Sequence, residues 1–173
     1  EQELSPFYET AWNMLGAEEN PYFGDSDKAL KVLAKSMGSE DKFSTVKVAI
    51  HFGEKDKTVK DPYFDGKGPD RTGCLLCGAC MTGCRHNAKN TLDKNYLYLA
   101  QQLGAEILAE YLVTDIIPKN NSNGNEGYLI KAKKNTRLVK STIEFETDSV
   151  IFSGGVLGTI PLLLKQKKKN LPN

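Results

Sequence analysis

Four cysteines carry the most specific chemical signal in this 173-residue chain. Cys74, Cys77, Cys80 and Cys84 form a C-x2-C-x2-C-x3-C array, and no other cysteine occurs. A thiolate at every third position brings several sulfurs onto one concave turn. Gly78 and Gly83, set between them, let the backbone bend until N–H groups face sulfur. Three thiolates so spaced can occupy three corners of a 4Fe-4S or 3Fe-4S cubane. Cys84 is the awkward member, because the C-x3-C cysteine of two-cluster proteins serves a second cluster, and no second set exists here. It would have to fold back, or His86 or an outside ligand would complete the site. Zinc is an alternative, although the two-residue gap between the pairs is shorter than usual zinc-site linkers. The third reading is four reduced thiols, or a Cys74–Cys77 redox pair, packed in a turn.

Few other residues compete as chemistry. His51 and His86 are the only histidines. His51, beside a β-like run, reads as a packed or surface residue rather than a ligand or base, whereas His86 sits among the cysteines. Arg85 and Lys89 could hold thiolates at lowered pKa or offer charge to phosphates; the blander reading is a solvated rim. Trp12, Tyr63 and Phe64 could line an apolar cavity but read first as core. Lys165, Lys167, Lys168 and Lys169 complement the negative end of the last helix.

The elements that must position these residues follow from period and punctuation. Pro6 starts a short helix with Phe7, Trp12 and Leu15, ending at Gly16. Asp25-Ser26-Asp27 starts a second, whose Leu30, Leu33, Ala34 and Met37 share one face and which Gly38 stops. Lys47 to Ile50 is β-like. His51 to Gly73 is Gly-, Pro-, Asp- and Lys-rich and reads as a long loop. After the cysteines, Thr91 caps a helix to Gly104 with the stripe Leu92, Tyr96, Leu99, Leu103. Ala105 to Ile107 and Tyr111 to Ile117 are strand-like. The cluster Asn120 to Asn125 is a turn, and alternation at Tyr128, Ile130, Ala132 and at Val139, Ser141, Ile143, Phe145 predicts an antiparallel meander. Ser149 to Ser153 reads as a strand buried in a parallel sheet, leading through Gly154-Gly155 into a helix with Leu162, Leu163 and Leu164.

Lys and Arg total 23 against 22 Asp and Glu, which makes no electrostatic case for nucleic acid. No apolar run reaches the length of a bilayer span and no signal-peptide pattern is visible. The chain starts at Glu1 and reads as an excerpt. Cysteines clustered rather than spread suggest a reducing, cytoplasmic setting.

Three segments carry a family resemblance. Asn90-Thr91-Leu92-Asp93-Lys94-Asn95-Tyr96-Leu97 is similar to an S/T-L-D-K-x-Y-L helix start. Leu112-Val113-Thr114-Asp115-Ile116 resembles a strand in which a valine main chain meets a flavin's adenine. Val150 to Thr159 with Leu162-Leu163 is similar to a V-x-x-x-G-x-x-L-G-[ST]-x-x-L-L turn. Together they resemble the flavin-binding part of the glucose–methanol–choline (GMC) oxidoreductases, in the cholesterol-oxidase-like branch, over about Ala88 to Asn173. Leu171-Pro172-Asn173 looks like the family's continuation, and the cysteine motif before N-T-L-D resembles a recurring version of this branch.

The resemblance implies an α+β or α/β chain: a partial flavin-binding (Rossmann-like) domain with a β-meander, and part of a substrate-side domain. It places residues 1–84 on the substrate side and 85–173 in the flavin-binding domain. FAD is the implied cofactor, with Val113, Gly154, Gly155, Gly158 and Thr159 as its contacts. A strand edge can read adenine through backbone groups, and a Gly-Gly turn admits close approach of a cofactor; equally, those glycines could serve only to pack the last helix. The implied reaction is oxidation of a CH–OH group of a small-molecule alcohol, sterol-like or otherwise apolar. Nothing matches the G-x-G-x-x-G turn that would hold the pyrophosphate, and the family's catalytic histidine falls past the last residue. No catalytic residue is therefore assigned, and the segment by itself is expected to be inactive. The sequence names no electron acceptor. The competing function is a ferredoxin-type electron-transfer module built on Cys74–Cys84.

Overall fold

A computed structural model describes residues 3–121, 123–136 and 141–167. Ser122, Val139, Lys168, Lys169 and Leu171-Pro172-Asn173, each part of an expectation above, lie outside them. The chain divides into two compact units, 1–106 and 107–173; the division expected for the longer protein was at 84/85.

In the first unit, α1 spans Ser5–Leu15 and ends where Gly16 adopts a left-handed φ of 52°, a conformation a Cβ disfavours. β1 is Glu18–Glu19. α2 spans Asp25–Ser36, its start closed by the Asp27 carboxylate accepting from the Gly24 N–H at 2.8 Å, the reciprocal half of a capping box. β2 (Lys47–Val48) pairs antiparallel with β1. The expected loop 51–73 contains a small antiparallel pair, β3 (Thr58–Val59) with β4 (Arg71–Thr72). The helix expected from Thr91 is in two parts, a 3-10 turn at Leu92–Lys94 and α3 at Tyr96–Gln102. The Thr91 hydroxyl is spent on the Asp93 carboxylate, and Asn95 caps α3 by accepting from the Tyr96 N–H at 2.6 Å.

The buried residues of this unit are mostly polar: His51, Arg71, Asn90 and Asn95 accompany Ile50 and Ala88. The apolar stripe of α2 is not covered by described residues, and Met37 is 71% exposed. Trp12, expected in the core, is 47% exposed, with the Lys47 ammonium 4.8 Å from its ring centroid. Helical periodicity marks a face able to pack and says nothing of what covers it.

In the second unit, β5 (Tyr111–Pro118), β6 (Tyr128–Lys134) and β7 (Thr142–Thr147) form the expected meander in the order β5-β6-β7. Ile116 and Ala132 are its buried apolar residues. The register slips between Val113 and Asp115, leaving Thr114 in a bulge. α4 spans Val156–Lys167. Ala105 to Ile107 and Ser149 to Ser153, both expected as strands, are irregular, and Ile151 is 89% exposed. A parallel strand is made by its neighbours' hydrogen bonds, and the described residues offer 149–153 no neighbouring strand.

Candidate functional site

The cysteine segment wraps a cavity. The Cys74 N–H donates to the His51 carbonyl at 3.0 Å and the His51 N–H to the Ala88 carbonyl at 2.8 Å. The array's start and the residues just after it are thereby tied to one stretch of backbone. Between these anchors the chain turns at Leu76 (φ 54°) and Gly78 (φ 72°), runs through a 3-10 turn at Ala79–Met81, and returns. The Lys89 ammonium holds the returning arm by donating to the Cys80 carbonyl at 2.9 Å. The open cleft there measures about 580 Å³, and all four cysteines line it together with apolar residues such as Tyr22, Ile50, Phe52 and Met81.

This geometry corrects the metal expectation. All four cysteines are unpaired, yet among the described residues no group of three His, Cys, Asp or Glu could hold a metal ion. The left-handed turns spread Cys74, Cys77, Cys80 and Cys84 around a wall rather than converging them on a point. Neither a cubane corner set nor a tetrahedral zinc set fits, since both need sulfurs about 2.3 Å from a common centre or cluster. The iron–sulfur module has no support here.

Cys84 differs from the other three. Burial pushes its thiol pKa up, but the backbone N–H groups of Ala88, Lys89 and His86 and the Arg71 charge together bring it below the ordinary value. Cys84 also borders a second cavity of about 520 Å³, whose lining includes Arg85, Lys89, Lys94 and Asp93, the last two paired at 3.4 Å.

Behind this wall lies a polar network absent from the sequence expectations. Arg71, 1% exposed, donates to the Asn87 side-chain oxygen at 3.0 Å and to the Asn90 side-chain oxygen. Asn90 in turn donates to the Gly16 carbonyl at 3.1 Å. The Tyr63 hydroxyl donates to the Glu18 carboxylate, and His51 Nδ1 lies 3.1 Å from that hydroxyl and 3.3 Å from Glu18 Oε1. His51 is thus a packed residue, as expected. Burial first, and the Glu18 carboxylate second, raise the Tyr63 pKa. Arg71 and Glu18 carry no local motif; Arg71 falls in the stretch His51 to Gly73 read as a long loop.

In the second unit the expected flavin contacts fall in two places. Val113 is 37% exposed on β5, an edge strand whose outer side carries main-chain groups unpaired by any strand in the described residues. Gly154, Gly155, Gly158 and Thr159 form the entry to α4, closed by the Thr159 N–H donating to the Gly155 carbonyl at 2.8 Å. Gly155 has a φ of 74°, and a Cβ added at Gly155 or Gly158 would meet nothing within 4 Å. The far end of α4 is pinned to β5: the Lys165 ammonium donates to the Thr114 carbonyl at 2.7 Å and the Gln166 amide to the same oxygen at 3.4 Å. The ten residues from Gly155 to Lys165 correspond to about 15 Å of helix. The glycine turn and Val113 therefore stand at opposite ends of α4 and do not meet.

The chain belongs to the GMC oxidoreductases: the sequence model of that family matches residues 2–166. The family binds FAD through a Rossmann-like domain. Among named relatives, the chain is 42% identical over 178 aligned residues to a cholesterol oxidase of Acinetobacter baumannii, covering 99% of this chain and 32% of that protein. It is 40% identical over 174 residues to a cholesterol oxidase of Mycobacterium tuberculosis (strain CDC 1551 / Oshkosh), covering 96% of this chain and 29% of that protein. The chain thus spans about a third of the length of these relatives. No solved structure matches it.

Proposed function

We propose that the chain is an internal segment of an FAD-dependent oxidoreductase that oxidises the CH–OH group of a sterol-like alcohol. The family match over residues 2–166 and the relatives named cholesterol oxidase support the substrate class. The observation that carries the cofactor role is the glycine turn at the start of α4, where a Cβ added at Gly155 or Gly158 would meet nothing within 4 Å. In this reading Val113 receives the adenine through main-chain groups, while Gly154, Gly155, Gly158 and Thr159 admit another part of the cofactor against the start of α4. Bound FAD supplies the hydride acceptor; this chain's residues bind and orient it, and the acid–base chemistry comes from polypeptide outside the segment. Residues 1–84 belong to the substrate side, and the unpaired thiols suit a cytoplasmic setting.

Gly158→Val in the full-length protein tests the cofactor role. Gly158 lies inside α4 with open space where a Cβ would stand, so the unfolding free energy of the apoprotein should change by no more than about 0.5 kcal/mol. Flavin content after gel filtration should fall at least tenfold. Full flavin occupancy in this variant would remove the glycine turn from the cofactor site.

A further inference from the structure

Neither metal nor flavin explains why four cysteines stand together along one cleft. The wall they make is firmly built. Besides the anchors at His51, an isolated bridge joins Ile50 to Lys89, and the Asn90 N–H donates to the Ala49 carbonyl at 2.8 Å. Residues 49–50 are thereby laced to the arm that returns from the cysteines. Leu76 is held at a φ of 54° without being a glycine. That conformation persists only where the surroundings impose it, and it clusters at functional positions.

The lining is graded in depth. Ile50 and Ala88 are buried, Cys80 and Cys84 half-buried, and Tyr22 and Met81 exposed. A thiol packs as a small hydrophobe with only weak hydrogen bonding, so the cysteines offer a polarizable surface that asks no partner of what lies on it. Asn20, His86 and Lys89 supply the strongly polar side chains. A mostly apolar lining with a few polar groups is the form of a small-molecule site, and the volume of about 580 Å³ lies within the usual range of about 300–1,000 Å³. A charged or heavily hydrated ligand would lose its solvation against such a wall. An extended stretch of polypeptide laid there would bring backbone N–H and C=O groups to a surface with few partners for them. The occupant that answers this lining is a small molecule of mostly hydrocarbon surface.

We propose that the Cys74–Cys84 array is one wall of the pocket that holds the apolar body of the alcohol substrate, its thiols serving as packing surface. This rests on the reading of the chain as part of an oxidoreductase acting on a sterol-like alcohol, and it gives that substrate a place in the first unit. Binding frees the water lying on the apolar wall, and the gain grows with the hydrocarbon area covered.

The test is thiol labelling of the full-length protein with cholesterol methyl ether as the probe, its blocked hydroxyl preventing turnover. A neutral thiol reagent is added, and each cysteine is followed by peptide mass spectrometry. Saturating ether should slow labelling of Cys74, Cys80 and Cys84 at least fivefold, and a short-chain alcohol at the same concentration should not. Ala79→Leu adds bulk at a half-buried lining residue. It should raise the ether concentration for half-protection at least tenfold while flavin content stays unchanged. Labelling rates that the ether leaves unchanged in wild type overturn the proposal, whether fast or already slow; slow labelling without ether assigns the cleft to another part of the polypeptide. Half-protection at the same ether concentration in Ala79→Leu also overturns it, by placing the protecting ligand elsewhere. Turnover of cholesterol with the thiols unprotected defeats the pocket wall and leaves the oxidoreductase reading intact, whereas protection without turnover does the reverse. Labelling needs no bound flavin, so the result is independent of the flavin content read in Gly158→Val.

Discussion

Arg71 and Asn87, sixteen positions apart, meet where the guanidinium Nη1 donates to the side-chain oxygen at 3.0 Å. Asn87 passes the link on by donating to the Asp70 carbonyl at 2.7 Å. The β3–β4 pair is thereby fastened to the segment just after the cysteines. Removing the guanidinium strands two amide oxygens in a buried site, and each unsatisfied group costs about 1–3 kcal/mol. Arg71→Leu should lower the unfolding free energy of the full-length protein by about 3 kcal/mol in urea titrations. Arg71→Lys should recover less than half of the loss, because an ammonium cannot span both amides.

Asp61 organises the loop that leads to Arg71. Its carboxylate accepts from the N–H groups of Tyr63 (3.0 Å), Phe64 (2.9 Å), Gly66 (3.1 Å) and Gly68 (2.9 Å). Burial pushes its pKa up, but these four donors together hold it below the usual carboxylate value. A depressed folded-state pKa contributes stability above the unfolded-chain value, about 3.9. That stability is lost as pH falls through the folded value. Asp61→Ala should cost about 2 kcal/mol at pH 7, and the gap between variant and wild type should narrow below about pH 4. Urea midpoints at pH 7 and pH 3 check the sign; a gap that widens in acid contradicts it.

Gly73 is fixed by crowding. A Cβ there would lie 2.0 Å from the Glu54 carbonyl oxygen, a backbone atom that cannot swing aside. Gly73→Ala should therefore cost about 2–3 kcal/mol. Because the next residue, Cys74, is anchored to His51, the variant should also expose the thiols, measured as faster labelling of Cys74 by a thiol reagent at neutral pH.

Tyr63 and Glu18 supply a test from the alkaline side. Tyr63→Phe removes the hydroxyl that Glu18 and His51 share, at a cost of about 1–2 kcal/mol. The folded-state pKa of Tyr63 is raised, so its contribution is complete below the unfolded-chain value of about 10 and declines as pH rises above it. Guanidinium titrations at pH 8 and pH 10.5 should show wild type losing more stability than the variant between the two.

Much of the local structure was legible from neighbours in the chain. α1 stops at Gly16, α2 starts at Asp25, and β5, β6 and β7 follow the alternation of Tyr111 to Ile117, Tyr128 to Ala132 and Ile143 to Phe145, since caps and strand alternation are properties of a few consecutive residues. The glycine turn before α4 was legible for the same reason. The array of cysteines was visible as well, but its geometry was not. Spacing sets how near sulfurs can come, and the φ values at Leu76 and Gly78 set whether they converge.

By itself, then, the sequence determined α1, α2 and the β5-β6-β7 meander, the family and the residues worth testing, because helix ends, strand alternation and motif order are written within short windows. The tertiary structure alone decided that Arg71 is buried against Asn87 and Asn90, that Glu18, His51 and Tyr63 meet, and that Ser149 to Ser153 takes no strand. Each of these depends on groups from distant segments, and a buried charge or a strand is defined by what stands beside it rather than by its own residue type.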